Sequence, residues 1–194
     1  MAFLTASAGD PLFPAFVLLL LYGMRRGEVL GLRWSDIDAN TIRVRQQIQR
    51  IKGKLLIGPV KTRAGKRDLP LLGLADDALM IRRGTQFLDC ERHGSAWTDT
   101  GLLFTTKTGL PVEPRNLNRS FERICDRGGI RRVRVHALRH TTASLLKNLG
   151  VPPKDAQVIL GHAHVSTTEQ IYTHVDEAAK RAAIDGLNRL LSGD

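Results

Sequence analysis

"TIRVRQQIQRIKGKLLIGPVKTRAGKRDLPL", residues 41–71, is the segment that separates an all-helical chain from an α+β one. Three short runs in it are rich in β-branched and apolar residues, at 41–48, 54–61 and 66–71, and the turn-prone "KG" (52–53) and "RAG" (63–65) divide them. The spacing predicts a meander of three antiparallel strands. Pro59 and Pro70 belong at edges or ends, since proline has no N–H to give a ladder. Outward from this segment the pattern becomes helical. Upstream, Asp10-Pro11 opens a helix that runs through "FPAFVLLLLYGM" (13–24) to a stop at Gly23, and a second short helix covers 27–33. Downstream, helices are expected at 75–90, 114–127, 137–148, 153–160, 166–172 and 176–191. "DRGG" (126–129) and "LGVPP" (149–153) supply the breaks between them. The fold class is therefore mainly α with a small three-stranded antiparallel β-sheet. With no internal repeat and no long linker, residues 1–194 read as a single domain.

Charge narrows the partners. The chain has 29 Lys+Arg against 19 Asp+Glu, a formal net charge of +10. That excess points to a polyanion, nucleic acid above all, and its spread along the chain favours a folded binding face over a basic tail. The apolar run at 13–24 is too short to span a bilayer and Arg25-Arg26 follows at once, so it reads as a buried helix and not a membrane anchor. It also lacks the basic start and small-residue cleavage site of a signal peptide. Cys90 and Cys125 have neither metal spacing nor a disulfide framework, which fits a reducing, cytoplasmic compartment.

Four motifs carry candidate chemistry. In "VHALRHTTASLL" (135–146), His136, Arg139 and His140 fall at i, i+3 and i+4, on one helix face. That face reads as solvated, as a zinc pair, or as a phosphate site. Zinc is disfavoured because Ala137 stands where a zinc protease needs Glu. In "YGMRRGEVLGLRWSDID" (22–38), Arg25 lies between a helix stop and a helix start, and Glu28 is placed to lock it or to cap the new helix. In "PVKTRAGKRDLPL" (59–71), Lys61 sits at a strand end, either a solubilising hairpin lysine or a proton donor. In "GHAHVSTTEQIYTH" (161–174), His162 precedes a helix start at Ser166, with Glu169 completing a capping box, and Tyr172 lies near that helix's end.

In this order the motifs resemble the tyrosine recombinases, also called phage integrases. G-x-R-x-G-E, a hairpin K-T, H-x-L-R-H, L-G-H and a tyrosine about ten residues on follow one another from about Leu4 to about Leu191. The resemblance implies a mostly helical catalytic domain with a small antiparallel sheet. It implies Arg25 and Arg139 as catalytic arginines, Glu28 as supporting acid, Lys61 (with Lys66 second) as hairpin lysine, and His136 and His162 in the histidine positions. Tyr172 is the implied nucleophile. The implied activity is site-specific DNA recombination by cleavage and rejoining through a 3′-phosphotyrosyl link, with no metal, ATP or cofactor. Type IB topoisomerase-like relaxation and an inert DNA-binding module are the alternatives. The implied partners are double-stranded DNA, three further copies of the chain in a homotetramer on DNA (monomer when free), and accessory DNA-bending or directionality factors. The stripe at 179, 183, 187 and 190–191 would dock on a neighbouring subunit. On this resemblance residues 1–194 are expected to be the catalytic domain alone, with the family's N-terminal core-binding and arm-binding domains outside them.

The chemistry suits these residue types. Two guanidiniums stabilise charge on the non-bridging oxygens as a fifth bond forms, and His162 is placed to add a hydrogen bond. A phenol with a reference pKa of about 10 is roughly one part in a thousand ionised at pH 7. It therefore needs His136 or a positive field to become a nucleophile. The departing 5′ oxygen needs a proton, and Lys61 is the candidate donor.

Overall fold

The computed structural model describes residues 2–162 together with Thr168. The helices expected at 166–172 and 176–191, and with them Tyr172, lie outside the described residues. The helices are α1 (Ala2–Ser7), α2 (Phe13–Tyr22), α3 (Arg26–Gly31), α4 (Gly73–His93), α5 (Pro114–Arg127), α6 (Ala137–Asn148) and α7 (Pro153–Leu160). The strands are β1 (Ile37–Asp38), β2 (Thr41–Val44), β3 (Gln46–Ile51), β4 (Lys54–Pro59) and β5 (Arg67–Pro70). Mainly α with small antiparallel sheets is thus the observed class.

Helix α2 is the axis of the core. Ala15, Phe16, Val17 and Leu18 are fully buried, as an unbroken apolar run requires. Its apolar surface is covered by α4 and α6. At one end Phe3 of α1 meets Phe16 edge-on at 5.3 Å and Phe121 of α5 at 4.9 Å. Burying Phe16 and Phe121 contributes on the order of 2–3 kcal/mol each. Helix α1, which the sequence pattern does not predict, is held by this aromatic contact. Among the described residues no helix is long and apolar enough to cross a membrane.

The sheet corrects the expected meander. Residues 41–51 form one extended path interrupted at Arg45, and both later strands pair with it. The first half pairs with β5 (Ile42↔Leu69, Val44↔Arg67) and the second with β4 (Ile48↔Ile57), so the order is β1-β2-β5 beside a separate β3-β4 hairpin. The reason is local. Lys52 and Gly53 both adopt positive φ, 47° and 76°, which closes a tight two-residue turn and sets the β3-β4 register. The chain then bends at 61–62 into a single 3-10 turn, Arg63–Gly65, where Thr62 Oγ1 accepts from the Gly65 N–H (3.2 Å). It returns to the free first half of the long path, where Arg67 and Leu69 face inward. Pro59 and Pro70 end their strands, as their missing N–H demands.

Helix α2 stops at Gly23, in the left-handed region at φ 58°. A side chain there would run into Leu160 and Thr142, so α6 and α7 can approach only a glycine. Thr142 Oγ1 donates to Leu20 O at 2.7 Å and ties α6 to α2. The end of α2, the start of α3, the start of α6, the end of α7 and β5 therefore meet at one corner.

Candidate active site

Arg25 occupies that corner as the N-cap of α3, in extended conformation. Glu28, one turn on, does both things expected of it. Its Oε2 accepts the Arg25 backbone N–H (3.0 Å), capping the helix, and its Oε1 accepts Nη1 of the Arg25 side chain (2.7 Å). Arg25 Nη2 donates to Gly161 O at 3.1 Å. The Glu28 side chain is 1% exposed and that of Arg25 33%, so the guanidinium is braced from behind and open in front.

Arg139, in the first turn of α6, is buried. Nη1 donates to Gly23 O (2.7 Å) and Nε to His162 Nε2 (3.1 Å). Nη2 is buried and, among the described residues, has no partner. A buried guanidinium nitrogen left unpaired is costly, and the chemistry of its N–H suits an anion's oxygen as partner.

His162 follows Gly161, which ends α7 at φ 70°. Its backbone is held both ways by Gln157, whose O accepts His162 N–H and whose Nε2 donates to His162 O, each at 3.1 Å. Nε2 accepts from Arg139, so the ring is neutral, its proton is on Nδ1, and Nδ1 donates to Thr168 Oγ1 at 2.8 Å. Both ring nitrogens are thus engaged, Nε2 with Arg139 and Nδ1 with Thr168, and the ring braces the Nε edge of the Arg139 fork.

The electrostatics agree with this network. Burial, then the charges of Arg139 and Arg25, push His162 down to about 4. Burial and the neighbouring His140, Arg139 and Arg25 also lower His136, which sits exposed at the start of α6 with its ring 5.3 Å from His140. Burial and Arg25 bring Arg139 down to about 9, which leaves it charged at neutral pH. Burial alone would raise the Glu28 carboxyl, but the Arg67 charge and hydrogen bonds from Arg25 and Arg67 outweigh it and hold the group ionised.

Arg25, Glu28, His136, Arg139 and His162 are therefore brought together. Lys61 shares no hydrogen bond or ion pair with them. It is exposed in the bend after β4, away from the hairpin tip at Lys52–Gly53, and makes no hydrogen bond or ion pair among the described residues. Sequence reasoning missed Arg67, whose Nη2 pairs with Glu28 Oε2 at 3.0 Å with both side chains almost fully buried. A signal was present. Arg67 alternates with Leu69 and Leu71, so it occupies an inward register, and an inward arginine needs a buried acid.

A cleft of about 1280 Å³ opens in front of the cluster. Arg25, Arg26, Arg50, Arg115, Arg119 and Arg134 are among the side chains that line it. Among the described residues no group of three or more His, Cys, Asp or Glu is placed to hold a metal ion. What the site can do is grip a tetrahedral oxyanion between two guanidiniums at the edge of a basic groove.

The chain matches the family model described as the phage integrase family over residues 5–179. It is 33% identical over 199 residues to a "Tyrosine recombinase XerC-like" protein of Caldanaerobacter subterraneus subsp. tengcongensis, covering 95% of this chain and 51% of the relative. It is 30% identical over 177 residues to the integrase of Staphylococcus phage L54a, covering 88% and 50%. Among solved structures, the Tn1549 transposon integrase in complex with transposon right end DNA superposes with a TM-score of 0.81 at 26% identity, over 96% of this chain and 63% of that one. XerA recombinase superposes with a TM-score of 0.71 at 26% identity, over 95% and 61%. The chain spans about half the length of the curated relatives it matches.

Proposed function

We propose, on the premise that the chain belongs to the phage integrase family, that it breaks and rejoins duplex DNA at specific sites through a covalent phosphotyrosine. One observation carries this reading. Arg139 keeps a buried Nη2 with no partner among the described residues, close enough to the braced Arg25 guanidinium for the two charges to act on each other, and Arg25 lines a basic cleft. The structure of the Tn1549 relative with transposon right end DNA supports DNA as the polyanion.

The residues divide the work as follows. Arg25 and Arg139 bind the non-bridging oxygens of the scissile phosphate and stabilise the added charge of the five-coordinate transition state. His162, neutral, fixes the Arg139 fork. The Tyr172 hydroxyl attacks phosphorus while its proton passes to His136, whose lowered pKa keeps it a free base at neutral pH. The P–O5′ bond breaks and Lys61 protonates the departing oxygen. A 3′-phosphotyrosine and a free 5′-hydroxyl result, and a second 5′-hydroxyl reverses the step. Four copies act together on two duplexes, in the cytoplasm where that DNA lies.

The test is a set of nicked duplexes drawn from the DNA flanking the coding region, incubated with the full chain. An SDS-resistant adduct, lost in Tyr172→Phe, is the expected result. No adduct with any flanking sequence overturns the reading. Relaxation of supercoiled plasmid without sequence preference would mark a topoisomerase instead.

A further inference from the structure

Arg67 donates from each of its three guanidinium nitrogens to a different segment. Nη2 pairs with Glu28 Oε2 (3.0 Å), and Glu28 in turn holds the Arg25 side chain. Nη1 donates to Gly65 O (3.0 Å), in the turn that follows Lys61. Nε donates to Ile159 O (2.9 Å), at the end of α7 just before Gly161 and His162. The backbone of Gly161 rests on the same guanidinium, since a Cβ there would lie 2.7 Å from Arg67 Nη1. Gly161 O is also the carbonyl that receives Arg25 Nη2.

We infer that Arg67 is a positioning residue for the strand-cleavage reaction: it sets the Arg25 guanidinium through Glu28 and sets His162, and hence Arg139, through the Ile159–Gly161 backbone. The inference rests on the recombinase reading above. Arg67 is itself buried, at 4% side-chain exposure, and meets no solvent front of the cleft, so it has no direct role on the phosphate. Its chemistry is that of a planar fork. A lysine carries the same charge but only one nitrogen, and cannot reach three diverging acceptors. Without the fork, Glu28 keeps one cationic partner where it now has two, and the α7 end loses the contact that fixes its carbonyl.

The test uses the full chain carrying Arg67→Lys, with two readouts. The first is the titration of His162 followed by nitrogen NMR of its ring in the free protein. The charges that face this ring are Arg139 and Arg25, with His136 and His140 beyond them, and Arg67 is not among them. A shift in the charge-conserving variant therefore reports a movement of the ring. The expected outcome is a rise toward the ordinary histidine value by at least about half a unit, as the Arg139 contact loosens. The second is the rate of adduct formation at saturating nicked duplex, expected to fall by roughly 30-fold while the DNA dissociation constant stays within about threefold. A folded Arg67→Lys protein with wild-type values in either readout overturns the inference, whatever its melting temperature. Should that variant lack a cooperative melt, both readouts are taken on it in sucrose, which favours the folded state without binding the site, with the same outcomes. A wild-type chain that forms no adduct sinks the recombinase reading instead, and the titration then decides alone whether Arg67 sets the cluster.

Discussion

Arg139 donates from Nε to Nε2 of His162 across 3.1 Å, so burial and a neighbouring cation together hold the imidazole in its neutral form. The consequence for stability has a definite sign. In the folded chain His162 takes up a proton only near pH 4, whereas in the unfolded chain it does so near its ordinary value of about 6.5. Between these values the unfolded state binds more protons, so stability rises with pH across the window and is lost as pH falls through it. His136 is displaced in the same direction and adds to the slope. The loss from about pH 6.5 down to about pH 4 should be on the order of 2 kcal/mol. Urea unfolding across that range checks it, and His162→Gln should flatten the curve in the same interval.

Arg25→Lys and Arg139→Lys preserve charge and remove the fork. Arg139 uses two nitrogens on protein acceptors and leaves a third without a partner among the described residues, so no ammonium can replace it. Each substitution should slow adduct formation by about 10²–10³-fold, the usual scale for losing a transition-state donor. DNA affinity should change by no more than about threefold, since the other arginines of the cleft remain. Cleavage under single turnover and binding by fluorescence anisotropy separate the two. Parallel losses in binding and cleavage would reduce both arginines to backbone holders.

Most of the described helices and most of the candidate site were legible because their signals are local. Pro114–Arg127 and Ala137–Asn148 match the expected spans, since proline at a first turn and glycine after a last one act within a few residues. Arg25 and Glu28 lie one turn apart, so their pairing follows from helix geometry alone. The sheet was less legible. Strand periodicity reveals inward faces but not partners, and the long path 41–51 offered two halves to two later strands. Arg67 was missed for a related reason: its meaning depends on Glu28, 39 residues away in the chain. Lys61 stood out as a lysine before a turn, but nothing local specifies how far a bend after β4 reaches.

Gly161→Ala tests the seat of His162. Gly161 has φ 70°, and an added Cβ would meet Arg67 Nη1 at 2.7 Å and Ala64 O at 2.9 Å. Gly150 is the natural control, with φ 75° and nothing within 4 Å of its added Cβ. Both substitutions carry the left-handed backbone cost of about 1–2 kcal/mol. Only Gly161→Ala must also displace the guanidinium and a carbonyl. It should therefore destabilise the fold by about 1–3 kcal/mol more than Gly150→Ala, the scale of overpacking. Thermal or urea melts of the pair give the difference directly. Equal losses would mean that the α7 end yields freely and does not press on Arg67.

Lys61 lies exposed in the bend after β4, with no hydrogen bond or ion pair among the described residues, which suits a side chain free to reach bound DNA. An acid role makes a prediction that a phosphate-binding role does not. Protonating the 5′ oxygen matters only while that oxygen is a poor leaving group. With the bridging 5′ oxygen replaced by sulfur, the thiolate departs without a proton, since a thiol's pKa of about 8.5 lies far below an alcohol's. Lys61→Ala should therefore cleave a nicked oxygen substrate about 10²-fold or more slowly than wild type, the range of general acid catalysis. It should cleave the sulfur substrate within about threefold of wild type. Arg139→Lys should stay slow on both, because the role proposed for Arg139 is on the non-bridging oxygens. Lys66→Ala should behave as wild type on both. A Lys61→Ala protein that remains slow on sulfur would remove this lysine from the acid role, and a Lys66→Ala protein rescued by sulfur would transfer that role to its neighbour.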